Sequence, residues 1–159
     1  MNTIKVTKMQ GCGNDFAVVD YEEYKKTGLE MSEFAKKICD RHFGIGADGL
    51  IIPDLSKNYD TDIAWYFYNS DGTTAQMCGN GMRCFAKYVT DKKLIDKKMF
   101  SVKTGAGVIK PEILEDGNVK VNMSSPILES SKIPFKGAEN LNQSISVGDK
   151  TFVINAVSM

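Results

Sequence analysis

The sequence predicts an α+β domain in which strands outnumber helices, and three observations carry that expectation. Two stretches, near residues 31–39 and 80–93, set apolar side chains at helical spacing. The segments around them alternate polar and apolar residues or form short apolar runs, and from residue 99 onward the pattern is nearly all β. The length of 159 residues suits one ordinary domain, or one domain and a piece of another. A chain of this size buries ~70 % of its unfolded surface.

Residues 3–9 (TIKVTKM) alternate as a half-buried strand does, GCGN breaks them, and FAVVD (16–20) reads as a second strand. Met31, Phe34, Ala35, Ile38 and Cys39 share one helical face, on a helix expected to end near His42 and Gly44. His42 itself reads best as a C-cap of that helix. A glycine-rich loop, GIGADG (44–49), leads into the apolar run LIIP (50–53). DIAWYFYN (62–69) is a strand rich in aromatics, turned by SDG (70–72). Met82, Phe85, Ala86 and Val89 then form the stripe of a second helix, which places Cys78 at its N-terminus or one residue before it. MFSVKT, GVIKPEIL and NVKVNMS read as strands, the last two joined by an EDGN turn. Residues 124–142 have no period and read as a linker, and SISV, GDK and TFVINAV give a last hairpin.

Composition excludes several classes of function. Twenty basic residues balance twenty acidic ones, so no basic footprint for a nucleic acid is expected. No apolar run approaches the ~18–20 residues that span a bilayer. The first residues, MNTIKVTKMQGCGNDF, lack the apolar core of a signal peptide, which points to a cytoplasmic address. There the four irregularly spaced cysteines would stay reduced. A single histidine, His42, excludes multi-histidine metal sites and weakens any Ser-His-Asp reading. Chemistry, if any, falls to Cys, Asn, Asp or Glu.

The segment NSDGTTAQMCGNGMRC (69–84) is the most informative. Cys78 follows a strand and turn and immediately precedes a helix, where unpaired N–H groups attract a carboxylate. The same field favours a thiolate over a thiol. A thiolate beside a carboxylate nest suits chemistry on the carbon next to that carboxylate. Spacing alone leaves equally open that Cys78 is a small buried residue and CGNG only a turn. Cys84 lies ~9 Å further along the helix and ~240° round, so it reads as core, as does Cys39. Cys12 sits in the GCGN turn with no required role. Asn14 follows that turn, where it either caps a helix or binds a ligand. The glycines of DRHFGIGADG lack the Gly-Lys-Ser/Thr ending of a phosphate loop and precede a strand.

Three motifs in order, GCGNDF, RHFGIGADG and NSDGTTAQMCGNGMRC, make the sequence resemble the diaminopimelate epimerases. That resemblance implies two pseudo-symmetric domains, each a strongly curved antiparallel sheet wrapped round a central helix. It implies inversion of one α-carbon of LL-diaminopimelate to the meso form by two cysteines, without pyridoxal phosphate or metal. Carried over, Cys78 is one catalytic cysteine, Gly79 and Asn80 hold the α-carboxylate and amine region, and Asn14 and Asn69 contact the rest of the substrate. A glutamine contact found in some members falls on Gly49 and is absent. The second cysteine and the Gly-Asn-Pro-His segment expected after AVSM are also absent. The expectation is therefore a fragment: a first domain at 1–123, then a linker and the first strands of an incomplete second domain at 124–159. Its missing half would come in cis or from another chain, and the full-length protein is a possible homodimer. The alternatives are a proline or hydroxyproline racemase of the same fold, against which Asn80, Asn14 and Asn69 argue, and a non-catalytic ligand-binding half.

Overall fold

The computed structural model describes residues 3–55, 60–137 and 139–158, so residue 138 of the stretch read as a linker lies outside it. The chain divides into two units, Met1–Asn122 and Met123–Met159.

The first unit is built on a six-stranded sheet in the order β1-β2-β3-β4-β5-β6. Its strands are β1 (Thr7–Gly11), β2 (Asn14–Val18), β3 (Gly49–Asp54), β4 (Ile63–Asn69), β5 (Val102–Thr104) and β6 (Gly107–Ile109). The sheet is mixed where an antiparallel one was expected: β2 runs parallel to β3, and β4 parallel to β5. Parallel neighbours need a crossover, and the helices supply both of them. The helices α1 (Tyr21–Lys25) and α2 (Met31–Cys39) carry the chain from β2 to β3, and α3 (Gly79–Asp91) carries it from β4 to β5.

The alternation of side chains sends each strand's residues to two cores. Phe16, Val18, Ile51, Ile63, Trp65 and Phe67 meet Met82, Phe85 and Val89 of α3. Ala17, Val19, Leu50 and Ile52 meet Phe34, Ala35, Ile38 and Cys39 of α2. Covered on both faces, β3 has all six residues buried, which explains its unbroken apolar run. A two-stranded sheet of β7 (Glu112–Ile113) and β8 (Val119–Lys120) also packs on α3. The fold is thus α+β, with α3 between two sheets.

Several boundaries differ from the sequence expectation. Residues 3–6 are not in a strand, because β1 pairs with β2 only as far as Thr7↔Val18, after which the partner turns away into α1. The stretch GVIKPEIL is two strands in different sheets, since Pro111 between β6 and β7 has no N–H for a ladder. MFSVKT and NVKVNMS contribute only Val102–Thr104 and Val119–Lys120. The short α1 gave no sequence signal. Its Tyr21 and Tyr24 pack by ring contacts on Tyr66 and Phe34 and not through an apolar stripe.

The second unit contains a 3-10 turn at Ser130–Lys132 and the hairpin of β9 (Gln143–Val147) and β10 (Lys150–Ile154). The stretch read as a linker is tied at both ends. Ile127 and Ser158 exchange backbone hydrogen bonds, and buried Asn140 donates to the Ala156 carbonyl at 2.6 Å. Ile145, Val147, Phe152 and Val153 of the hairpin are exposed.

Candidate active site

The site is assembled at one end of the first sheet. β1 and β2 are joined by Cys12 and Gly13, both at positive φ (56° and 81°), between the paired residues Gly11 and Asn14. Two residues of that handedness make the turn that suits the twist of a hairpin. Asn14 is therefore the first residue of β2; it caps no helix. Register carries the same level across the sheet, with Phe16 opposite Gly49 and Gly49 opposite Asn69.

Cys78 is the N-cap of α3, in extended conformation (φ −143°, ψ 112°). Its sulfur accepts from the Gly81 N–H at 3.3 Å, and its carbonyl accepts from Met82 N–H at 2.8 Å. On the other side Cys78 Sγ donates to Asn14 Oδ1 at 3.7 Å, a contact across 64 residues of chain. Gly79 and Asn80 open the helix, so their N–H groups have no helical carbonyl to pair with. The Asn80 side chain is held through Oδ1 by Arg83, whose guanidinium also lies 3.5 Å from Cys12 Sγ.

Asn69 is placed at the same sheet end, but its side chain is engaged in its own turn, Nδ2 donating to Thr73 Oγ1 at 3.0 Å. The turn is linked to Asn14 through one residue, Asp48. The Ser70 N–H donates to the Asp48 carbonyl at 3.0 Å, and Asn14 Nδ2 donates to Asp48 Oδ2 at 2.8 Å.

Asp48 belongs to a network that the sequence reading missed. Arg41 donates to both Asp15 oxygens, at 3.2 and 2.9 Å, and to Asp48 Oδ1 at 2.8 Å. Lys8 pairs with Asp15 at 3.1 Å. The Arg41 hydrogen bonds hold the Asp15 carboxyl far below the usual carboxylate range, with burial opposing them and Lys8 helping. Asp48 is lowered too, chiefly by the Asn14 bond. Both Arg41 and Asp48 sit in DRHFGIGADG, so the motif carried the signal in its charged residues and not in its glycines or His42. His42 does not cap α2: the helix ends at Cys39 with Asp40 as its C-cap, and the Asp40 carboxylate turns the chain after it by accepting from the His42 and Phe43 N–H groups at 2.7 and 2.8 Å.

The four cysteines occupy different environments. Cys39 and Cys84 are buried, and burial raises the Cys39 thiol to about 11 and moves Cys84 upward as well. Cys12 is exposed on the hairpin tip, and Cys78 is partly buried at the helix start. Among the described residues no group of three or more His, Cys, Asp or Glu side chains could hold a metal ion. Among them, too, no helix is long and apolar enough to cross a membrane.

Residues 6–129 match the family model of diaminopimelate epimerase. The chain is 47 % identical over 160 residues to a diaminopimelate epimerase of Caldanaerobacter subterraneus, covering 97 % of this chain and 56 % of the relative. A diaminopimelate epimerase of Carboxydothermus hydrogenoformans is 47 % identical over 156 residues, covering 96 % and 56 %. The chain thus spans little more than half the length of these relatives. Among solved structures, a probable proline racemase from Agrobacterium radiobacter superposes with a TM-score of 0.61 at 14 % identity, covering 92 % of this chain and 46 % of that one. At that identity the likeness concerns the fold.

Proposed function

The chain belongs to the diaminopimelate epimerase family, and on that premise we propose that Cys78 is one of two acid/base groups that invert an α-carbon of diaminopimelate. The carrying observation is the Cys78 sulfur at the start of α3, with the Gly81 N–H at 3.3 Å on one side and Asn14 Oδ1 at 3.7 Å on the other. A sulfur so placed can take the α-proton as a thiolate and return it as a thiol. Gly79 and Asn80 bind the adjoining carboxylate through first-turn N–H groups. Asn14 and Asn69 contact the remainder of the substrate from the sheet end. The proton leaves and returns through cysteine alone, so no cofactor is needed, and a cytoplasmic address would keep the thiol reduced.

Inversion requires a second group on the opposite face of the carbon. Cys84 and Cys39 are buried in the two cores, so neither pairs with Cys78 across a substrate, and Cys12 lies on the exposed hairpin tip with its sulfur beside Arg83. The second group is assigned to chain beyond these 159 residues, in cis or from another molecule. Removing one member of such an acid/base pair costs ~10²–10⁴ in rate.

The test is LL-diaminopimelate incubated with this chain in deuterium oxide, followed by mass and chiral analysis. The expected outcome is slow deuterium uptake at the α-carbon with almost no meso product, and loss of that uptake in Cys78→Ser. Efficient meso formation would place a second acid within these residues. Uptake that survives Cys78→Ser would remove Cys78 from the reaction.

A further inference from the structure

The Asn14 amide touches two groups of opposite demand. Asp48 Oδ2 stands 2.8 Å away on one side and Cys78 Sγ 3.7 Å on the other. An ionised carboxylate only accepts, so the Asn14 atom beside it has to be Nδ2, and the amide is left with Oδ1 toward the sulfur. Asp48 is itself fixed, by Arg41 at 2.8 Å and by the Asp15 N–H at 3.2 Å. The oxygen facing Cys78 is therefore chosen two residues away.

We propose that Asp48 is a positioning residue that locks the Asn14 amide with its oxygen toward Cys78, so that Asn14 favours the thiol while the Gly81 N–H favours the thiolate. The inference rests on the reading of Cys78 as an acid/base group, which has to work in both protonation states. An S–H donates to Oδ1, whereas a thiolate faces that oxygen lone pair to lone pair. The Gly81 N–H rewards only the sulfur that accepts. The other charged group near the helix start, Arg83, is taken up by Asn80 and Cys12. Asp15, Arg41 and Asp48 stand behind Asn14, and the neighbouring thiol Cys84 is buried.

The experiment follows the thiol and needs no turnover. In the chain carrying Cys12→Ser, iodoacetamide alkylation of Cys78 at neutral pH is read by peptide mass, together with the ultraviolet thiolate band. In Asp48→Asn the new amide can donate, which frees Asn14 to turn Nδ2 toward the sulfur. Cys78 is then expected to react about tenfold faster, the scale of a charge-assisted hydrogen bond gained by a thiolate. The thiolate band should grow in parallel. Asp48→Glu keeps the acceptor and should keep the slow rate. In an Asn14→Ala background, Asp48→Asn should change nothing further. An unchanged or slower Cys78, or the same acceleration with and without Asn14, overturns the proposal.

Cys39 and Cys84, 2 % and 4 % exposed, report on folding in the same digest. If they become labelled in Asp48→Asn, Asn14→Ala alone decides: its thiolate band should rise, and an unchanged band refutes the role. Uptake of deuterium that survives Cys78→Ser would remove Cys78 from the reaction while leaving these thiol rates to be judged separately.

Discussion

At Gly44 the chain leaves no room for a side chain. A Cβ there would stand 2.3 Å from the Lys37 carbonyl oxygen and 2.6 Å from that of Ile38. The closeness comes from the way the loop closes the end of α2: Ile45 and Gly46 donate to the Ile38 carbonyl at 2.9 and 3.2 Å, and Ala47 donates to that of Cys39 at 3.0 Å. The loop thereby satisfies carbonyls that the helix leaves open and delivers Asp48 to Asn14. Gly44→Ala should lower the unfolding free energy by about 1–3 kcal/mol, the usual cost of overpacking. Urea titration measures it, and an unshifted midpoint would mean that the loop relaxes freely. Cys78 was legible in the sequence because a strand, a turn and a helical stripe bracket it within a few residues. Asp48 was not, since its partners Asn14 and Asp15 lie 34 and 33 residues away and no local period records such a pairing.

Within the six-stranded sheet, the parallel pair β4 and β5 is joined by the fewest rungs, Ile63↔Val102 and Ala64↔Lys103. Asp62, just ahead of β4, reinforces it from outside the ladder. Its carboxylate accepts from Lys97, and from the Ser101 N–H and Oγ at 2.7 and 2.8 Å, while its own N–H donates to Ser101 Oγ at 2.9 Å. These bonds, Lys97 first, lower its pKa from the ordinary 3.8 to about 2. A carboxylate depressed on folding contributes stability that is full above its unfolded value and is lost as pH falls through the folded one. Asp62 should therefore destabilise the fold between pH ~4 and ~2 as it takes up a proton. Thermal melts at successive pH values should show a shallower acid decline for Asp62→Asn than for the parent chain, and parallel declines would refute this. Both major helices could be read from their stripes. The boundaries of β5 to β8 could not, because Pro111 and the sheet to which each strand belongs are settled by partners distant in sequence.

Across the whole molecule, the alternation along β2, β3 and β4 made a two-sided core readable, while the order of the strands followed only from which helix crosses which face. The second unit shows the limit of pattern reading from the other direction. Its aperiodic stretch looked like a linker because Ile127 and Asn140 find their partners, Ser158 and Ala156, across the unit and not along a period. The two units also differ in how their ladders are sheltered. β3 is flanked by strands on both edges and covered on both faces, so its amides can meet solvent only when the entire sheet comes apart. β9 and β10 have one partner each and carry exposed side chains, and a lone hairpin opens at little cost. In deuterium exchange, the amides of Leu50, Ile51 and Ile52 should therefore be among the last to be replaced, at the rate set by global unfolding, and those of the hairpin among the first. Asn14 and Asn69 flank that slow strand at its start, so the groups around Cys78 are mounted on the part of the chain that breathes least.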